Sequence, residues 1–310
     1  MNKELLHQSI VKTLLYYDIF NYPLRANEVF RFLPTNSVKV NDVEHALENL
    51  SDNKLIYRFG EYFSIQNSEQ NVVRRRKGNN LAEKYASIAH QRAKLIARFP
   101  FVRAVFASGS FSKGYMDEKS DLDFFIITAP GRLWMARTLI VMFKRLFFFN
   151  SHKYFCCNYF IDSEHLEIEE KNLFTATELA TLVPLCGSRL YSRMINNNSW
   201  VMDFFPNYEV NSVENSISSK PSFLKISVEN ILNTKLFDRI EKFFMRITLA
   251  RWKRLYERKY NAKDFNIAFK SSQHVSKNHP NHYQQKVMRC YDEKIRNYNQ
   301  LHESHLAHLA

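Results

Sequence analysis

Two aspartates, Asp121 and Asp123, stand one residue apart in the run "SDLDFFIIT", which is otherwise apolar and reads as a strand. Alternation along a strand points both carboxylates to one face and turns Leu122 and Phe124 to the other. Carboxylates this close repel unless a cation sits between them. Mg²⁺ or Mn²⁺ would serve, because hard ions take carboxylate oxygens together with substrate phosphates. The structural alternative is a strand end capped by the aspartates, or ion pairs with Arg103 or Arg137.

Just upstream, "GSFSKG" follows the apolar run "VRAVFAS". Gly109 lets a phosphate approach the main chain, and Ser110 offers it a hydroxyl. Lys113 adds a positive charge, Gly114 completes the turn, and Ser120 immediately precedes the aspartates. The GK[ST] ending of a Walker A loop is absent. Turn and carboxylates together describe a site for a nucleoside triphosphate and a divalent metal.

A strand, Gly109-Ser110, a short helical turn and then Asp121-Leu122-Asp123 resemble the nucleotidyltransferase superfamily typified by DNA polymerase beta. The resemblance covers roughly residues 100 to 162. It implies that Ser110 contacts the triphosphate, with Gly109, Lys113 and Ser120 completing the nucleotide-binding set. It also implies that Asp121 and Asp123 hold the metal ions for an in-line displacement at the α-phosphorus that releases pyrophosphate. Active members carry a third carboxylate on the next strand, as metal ligand and base. In "KYFCCNYFIDSEHLEIEE" the middle of that strand is Asn158, which cannot ionise. Asp162 shares its face and is the expected third catalytic carboxylate. Glu167, or no carboxylate with Asn158 in its place, are the alternatives, and the last would weaken base catalysis.

Several elements must position these residues. The composition is 45% hydrophobic over 310 residues, enough for one large core or two to three smaller ones. Residues 1–66 read as three helices and a two-stranded wing around Gly60, an order that resembles a winged helix-turn-helix. Its third helix would offer Lys39, Asn41, His45 and Asn49 to DNA, although Asp42, Glu44, Glu48 and Asp52 share that helix. A protein-contact surface or an internal lid is the competing use. Residues 67–80, with Arg74, Arg75, Arg76 and Lys77, read as a linker or the start of the next helix. The charge run is a solvated face or a source of phosphate steering.

Residues 81–187 alternate helix, strand, helical turn, strand, helix, strand. The expected fold class is therefore α/β, a small mixed sheet flanked by helices. Arg132 and Arg137, after the second strand, are placed to reach phosphates or to cap and bridge locally. The run "GRLWMARTLIVMFKRLFFF" reads as a crossover helix packed on both sides rather than a membrane-surface helix.

Residues 188–310 read as mainly helical. One helix carries a basic stripe of Lys235, Arg239, Lys242, Arg246 and Lys253 beside an apolar face of Leu236, Ile240, Phe243 and Ile247. The stripe is a second candidate for nucleic acid, or a solvated face. The tail holds many histidines in no recognisable ligand spacing, and no metal is assigned to them.

No apolar window is long enough to span a membrane; the longest, Leu133 to Phe149, is broken by Arg137, Lys144 and Arg145. The first residues lack the apolar core of a signal peptide. Four cysteines without CxxC spacing argue against a zinc site or disulfide framework and suit a reducing compartment, so the expected location is cytoplasmic. A net charge of +13 favours polyanionic partners. The expected activity is metal-dependent transfer of a nucleoside monophosphate from an NTP such as ATP to an acceptor hydroxyl. The acceptor, whether RNA, small molecule or protein, is not legible. The alternative is a catalytically weakened regulator that binds nucleotide or nucleic acid.

Overall fold

Val102–Ser108 and Asp123–Thr128 are apolar at nearly every position, and in the computed structural model both strands are covered on two faces. Residues 3–36, 38–149, 153–211, 221–260, 265, 268–278, 283–303 and 306 are described. The chain opens with α1 (Lys3–Asp18), β1 (Leu24–Arg25), α2 (Ala26–Arg31), α3 (Val40–Asp52), β2 (Tyr57–Phe59) and β3 (Tyr62–Ser64). These three strands form an antiparallel sheet in the order β1-β3-β2. Val43, Ala46, Leu47 and Leu50 recur at helical spacing and are the buried face of α3. Lys39, Asn41 and His45 lie on its exposed side, where Glu48 pairs with Arg58.

A second set follows: α4 (Glu69–Ala97), β4 (Val102–Ser108), α5 (Gly109–Ser112), β5 (Asp123–Thr128), α6 (Leu133–Phe147) and β6 (Cys156–Asp162). The order is the one expected from the alternating apolar runs. Next come α7 (Leu173–Ala180), β7 (Val183–Cys186), α8 (Ser188–Asn197), α9 (Val201–Phe204), α10 (Phe223–Leu232), α11 (Lys235–Tyr256), β8 (Val275–Lys277) and α12 (Tyr283–His302). One five-stranded mixed sheet runs β7-β4-β5-β6-β8. Among the described strands only β5 and β6 pair in parallel, and α6 makes the crossover that a parallel pair requires. The architecture is α/β, with helices on both faces.

Alternation sorts the sheet into two cores. Ala104, Phe106, Phe125, Ile127 and Ile161 face a cluster shared with α1, α3, α7, α8 and α12. Val105, Phe124, Ile126 and Phe160 face α4, α6 and α11. Because the first cluster is continuous from Ile10 and Leu47 to Phe106, the N-terminal elements and the central sheet share one packed interior.

Three expectations change here. Residues 69–80 are the opening turns of α4 rather than a linker, and Arg75 is only 2% exposed. Its guanidinium lies over the rings of Tyr22 and Tyr62 and pairs with Glu28 at 2.6 Å, so it clamps α4 to the N-terminal elements. The mainly helical region after residue 188 also carries one short strand: β8 returns to the central sheet against β6, and α12 packs on α1, with Lys294 bound to Asp18 at 2.6 Å. Short strands such as β8 carry too few residues for a period to be legible.

On α11, Leu236, Phe243 and Ile247 are exposed. The packed side is instead Phe237, Ile240, Phe244, Leu249 and Trp252, rotated from the face that periodicity suggested. Likewise α6 is packed on one side only, since Met142, Leu146 and Phe147 are exposed. Two of its basic residues turn inward: Lys144 is buried, and Arg137 is buried against Trp134 and Trp252, where burial lowers its pKa to about 10. Arg132 pairs with Asp238 at 2.6 Å. Both arginines serve local packing and neither reaches the glycine turn.

Candidate active site

The site begins at the junction of β4 and α5. Gly109 has φ +68, a left-handed conformation that side chains with a Cβ rarely adopt. A Cβ built there would meet Asp123 Oδ2 at 2.4 Å, so glycine is needed for space as well as for conformation. Ser108 pairs with Asp123 across the sheet, and the register therefore sets the glycine turn on the first carboxylate of β5.

Below this turn lies a cavity of about 680 Å³. Its wall takes Gly109, Ser110, Lys113, Ser120 and Asp123 from the core, Asn158 from β6, Glu178 from α7, and Tyr17, Phe20 and Tyr22 from the N-terminal elements. Tyr283 of α12 closes another side. The loop after α5 is held down: Met116 N–H donates to Gly78 O, and Ser120 Oγ donates to Asp117 Oδ1 at 2.9 Å. Tyr22 Oη donates to Lys113 O, tying the N-terminal elements to the same loop.

The two aspartates are not placed alike. Asp123 is the first residue of β5 and enters the cavity wall, whereas Asp121 lies in the turn before the strand and is not part of that wall. The strand is shorter than its apolar run suggests, so the shared strand face applies to Asp123 and Phe125 instead. Asp121 still acts on its neighbour electrostatically. Burial first, then the charges of Asp121 and Glu178, push the Asp123 carboxyl up to about 7, against the opposing effects of Cys156 and Lys113. A buried carboxyl that retains its proton near neutrality is one that a hard divalent cation can relieve by taking the proton's place.

Asp162, the expected third carboxylate, does not join them. It pairs with Thr128 while Cys156 pairs with Asp123, so it sits at the opposite end of β6, about 20 Å away at the rise of a strand. Glu167 is not part of the cavity wall and pairs with Lys171. Asn158 is the residue that meets Asp123, donating from Nδ2 to Oδ1 at 3.1 Å. The register of β5 and β6 shifts between Phe124 and Phe125, where Asn158 is the extra residue of β6, and this bulge aims its side chain at the carboxylate.

Sequence reasoning missed Glu178. Its Oε1 accepts from Lys113 Nζ at 2.7 Å, and the same ammonium donates to Gly109 O at 3.1 Å. The carboxylate therefore comes from α7, not from the neighbouring strand. Nothing in "TATELAT" marks it locally, because its role follows from where α7 docks.

Comparison with known proteins bears on the same segment. Residues 89–175 match the family model described as a nucleotidyltransferase domain. This segment is similar to nucleotidyltransferase domains. The match includes Gly109, Ser110, Asp121, Asp123 and Asn158 and stops just short of Glu178. It supports nucleotidyl transfer in general terms and leaves metal, base and acceptor unspecified. No curated protein and no solved structure matches the chain.

The segment should show a distinctive pH response. Between about pH 4 and 7 folded Asp123 keeps a proton that the unfolded chain releases, so metal-free stability falls as pH rises through that window. A cation must displace the same proton. Mg²⁺ affinity is therefore expected to rise up to about tenfold per pH unit below 7 and to level off above it. Calorimetric titrations between about pH 5.5 and 8 check this; a flat profile would contradict it.

Proposed function

We propose that the chain is a Mg²⁺- or Mn²⁺-dependent nucleotidyltransferase that moves a nucleoside monophosphate from a nucleoside triphosphate, ATP being the first to test, to an acceptor hydroxyl. The observation that carries this reading is the apposition of the Gly109 turn and the raised-pKa Asp123 carboxyl at one cavity. Gly109 and Ser110 would receive phosphate oxygens, Ser120 would line the same pocket, and Lys113 would add positive charge. Asp123, with Asp121 beside it, would hold the divalent ion. When bound, that ion would neutralise charge on the transferring phosphoryl group.

Glu178 is the proposed base. It faces the cavity, belongs to a different element from the two aspartates, and is held by Lys113, which would turn to the phosphates when nucleotide enters. Asn158 would keep Asp123 oriented without competing for the acceptor proton. Glu178→Gln keeps the size and the Lys113 contact. It is expected to lower kcat by about 10²–10⁴-fold with nucleotide affinity nearly unchanged. Equal activity of parent and variant would remove Glu178 from this role.

The direct test incubates the full chain with α-labelled ATP, Mg²⁺ and a cell extract, then asks whether RNA, protein or a small molecule carries the label. Label that depends on Asp123 supports transfer. A second reading, a weakened nucleotide-binding regulator, is favoured by Asn158 standing where an ionisable side chain is expected. It gains if nucleotide binds and no fraction is labelled.

Residues 1–66 are proposed as a winged-helix-like module, residues 81–187 as the catalytic core, and residues 188–310 as a C-terminal region that covers the core. Tyr17, Phe20 and Tyr22 in the cavity wall support use of the N-terminal module as a lid rather than a DNA reader. The acidity of α3 points the same way. Among the described residues no helix is long and apolar enough to cross a membrane, and none of the four cysteines is in a disulfide. Cysteines kept as thiols support the cytoplasmic placement.

A further inference from the structure

At the far end of β6 from the cavity, Asp162 is fully buried and gathers two imidazoles, that of His165 just beyond it in the chain and that of His274 from a distant segment. Its Oδ1 accepts the main-chain N–H of Glu164 at 2.9 Å and of His165 at 3.1 Å, and lies 2.8 Å from His165 Nδ1. Its Oδ2 lies 2.7 Å from His274 Nδ1. The two rings stack with centroids 3.6 Å apart. Among the described residues, this is the group of histidine, cysteine and acidic side chains whose ligand atoms converge, all within 4.8 Å of one another.

We propose that Asp162, His165 and His274 form a second metal site, for a divalent transition ion of the zinc class, separate from the catalytic carboxylates. The donor set decides the class. Two imidazole nitrogens and one carboxylate oxygen suit Zn²⁺, Co²⁺ or Ni²⁺, while Mg²⁺ prefers all-oxygen surroundings. A tetrahedral ion about 2.0–2.2 Å from each ligand spaces them by roughly 3.4 Å, so small side-chain rotations from the present separations close the site. Each neutral ring would carry its proton on Nε2 while Nδ1 binds the ion, with no other proton displaced. Burial would raise the Asp162 carboxyl, but hydrogen bonds from His165, His274 and Glu164 N–H hold it below the usual range, so it is available as an anion. With His165 and His274 side chains 48% and 40% exposed, the fourth position opens to water.

The place in the fold gives the ion a purpose. Asp162 N–H donates to His274 O, and His274 leads directly into β8, the edge strand pairing with β6. Lys277, at the end of β8, lines the catalytic cavity and lies 3.7 Å from Glu170, which is reached from His165 along the same loop. An ion bridging these ligands would fasten both segments where they enter the cavity wall.

The test uses the full chain, stripped of metal and then saturated with Mg²⁺. Zn²⁺ is titrated against a chromophoric chelator, Co²⁺ is followed by its visible spectrum, and parent is compared with the His165→Gln, His274→Gln double variant. Both histidines are partly exposed, so the variant is expected to fold, and circular dichroism verifies this. The parent should bind one more equivalent than the variant, or bind it about 100-fold more tightly, and only the parent's Tm should rise strongly with Zn²⁺. Identical stoichiometry, affinity and Co²⁺ spectrum in the two proteins would overturn the site. So would the absence of Zn²⁺ and Co²⁺ binding by the parent.

Discussion

Asp123→Asn is expected to remove nucleotide turnover by about 10³-fold or more and, at the same time, to make the metal-free protein more stable at alkaline pH. The two effects share one cause. Asp123 is crowded by burial, Asp121 and Glu178, and its carboxyl is pushed up to about 7. Above that pH the parent carries an anion that the fold does not compensate. Asparagine removes the charge and can still accept the Asn158 Nδ2 hydrogen bond through its own carbonyl oxygen. The gain in Tm should be full above about pH 7, shrink as the parent's carboxyl takes up its proton, and vanish near pH 4. Adding Mg²⁺ should reverse the order, because the ion stabilises only the protein that binds it. Pyrophosphate release and thermal melts with and without Mg²⁺ read both quantities. A variant that loses stability at alkaline pH without metal would show that Asp123 is a structural cap and not a cation ligand.

Gly109→Ala should be nearly as damaging to activity, for a steric reason. The added methyl would sit 2.4 Å from Asp123 Oδ2, and the backbone at φ +68 is strained for alanine. Either Asp123 rotates away or the turn opens, and a displacement of about 1 Å at a reacting centre costs on the order of 10²-fold. Gly131→Ala is the matched control. Gly131 has φ +65, but a Cβ there meets nothing within 4 Å. It should therefore carry the conformational cost of about 1–2 kcal/mol without the loss of turnover. Comparable kcat values for the two alanine variants would dissociate the glycine turn from the chemistry.

The degree to which the site could be read from the chain differs among its residues. Gly109 and Asp123 are close in sequence and joined by a single antiparallel pairing, so the turn and the following strand predict their meeting. Asn158 was legible as the residue at the centre of the third strand, but its aim at Asp123 depends on a one-residue bulge. Asp162 shares the expected face of β6 yet falls at its wrong end, because alternation fixes which side a residue takes and says nothing of distance along the strand. Glu178 and Lys277 carry no local mark at all.

By itself, then, the sequence determined the α/β order, the glycine turn and the carboxylate that follows it. These depend on backbone sterics and on apolar periodicity among near neighbours, and such forces act within a few residues. Only the tertiary structure decided which distant groups face Asp123, that the N-terminal elements wall the cavity, and that His274 meets Asp162. Those meetings depend on how buried faces from α1, α7, β8 and α12 dock on one sheet. Docking minimises exposed apolar area over the whole chain, so a polar side chain carried on such a face arrives at a place that its own neighbourhood does not encode.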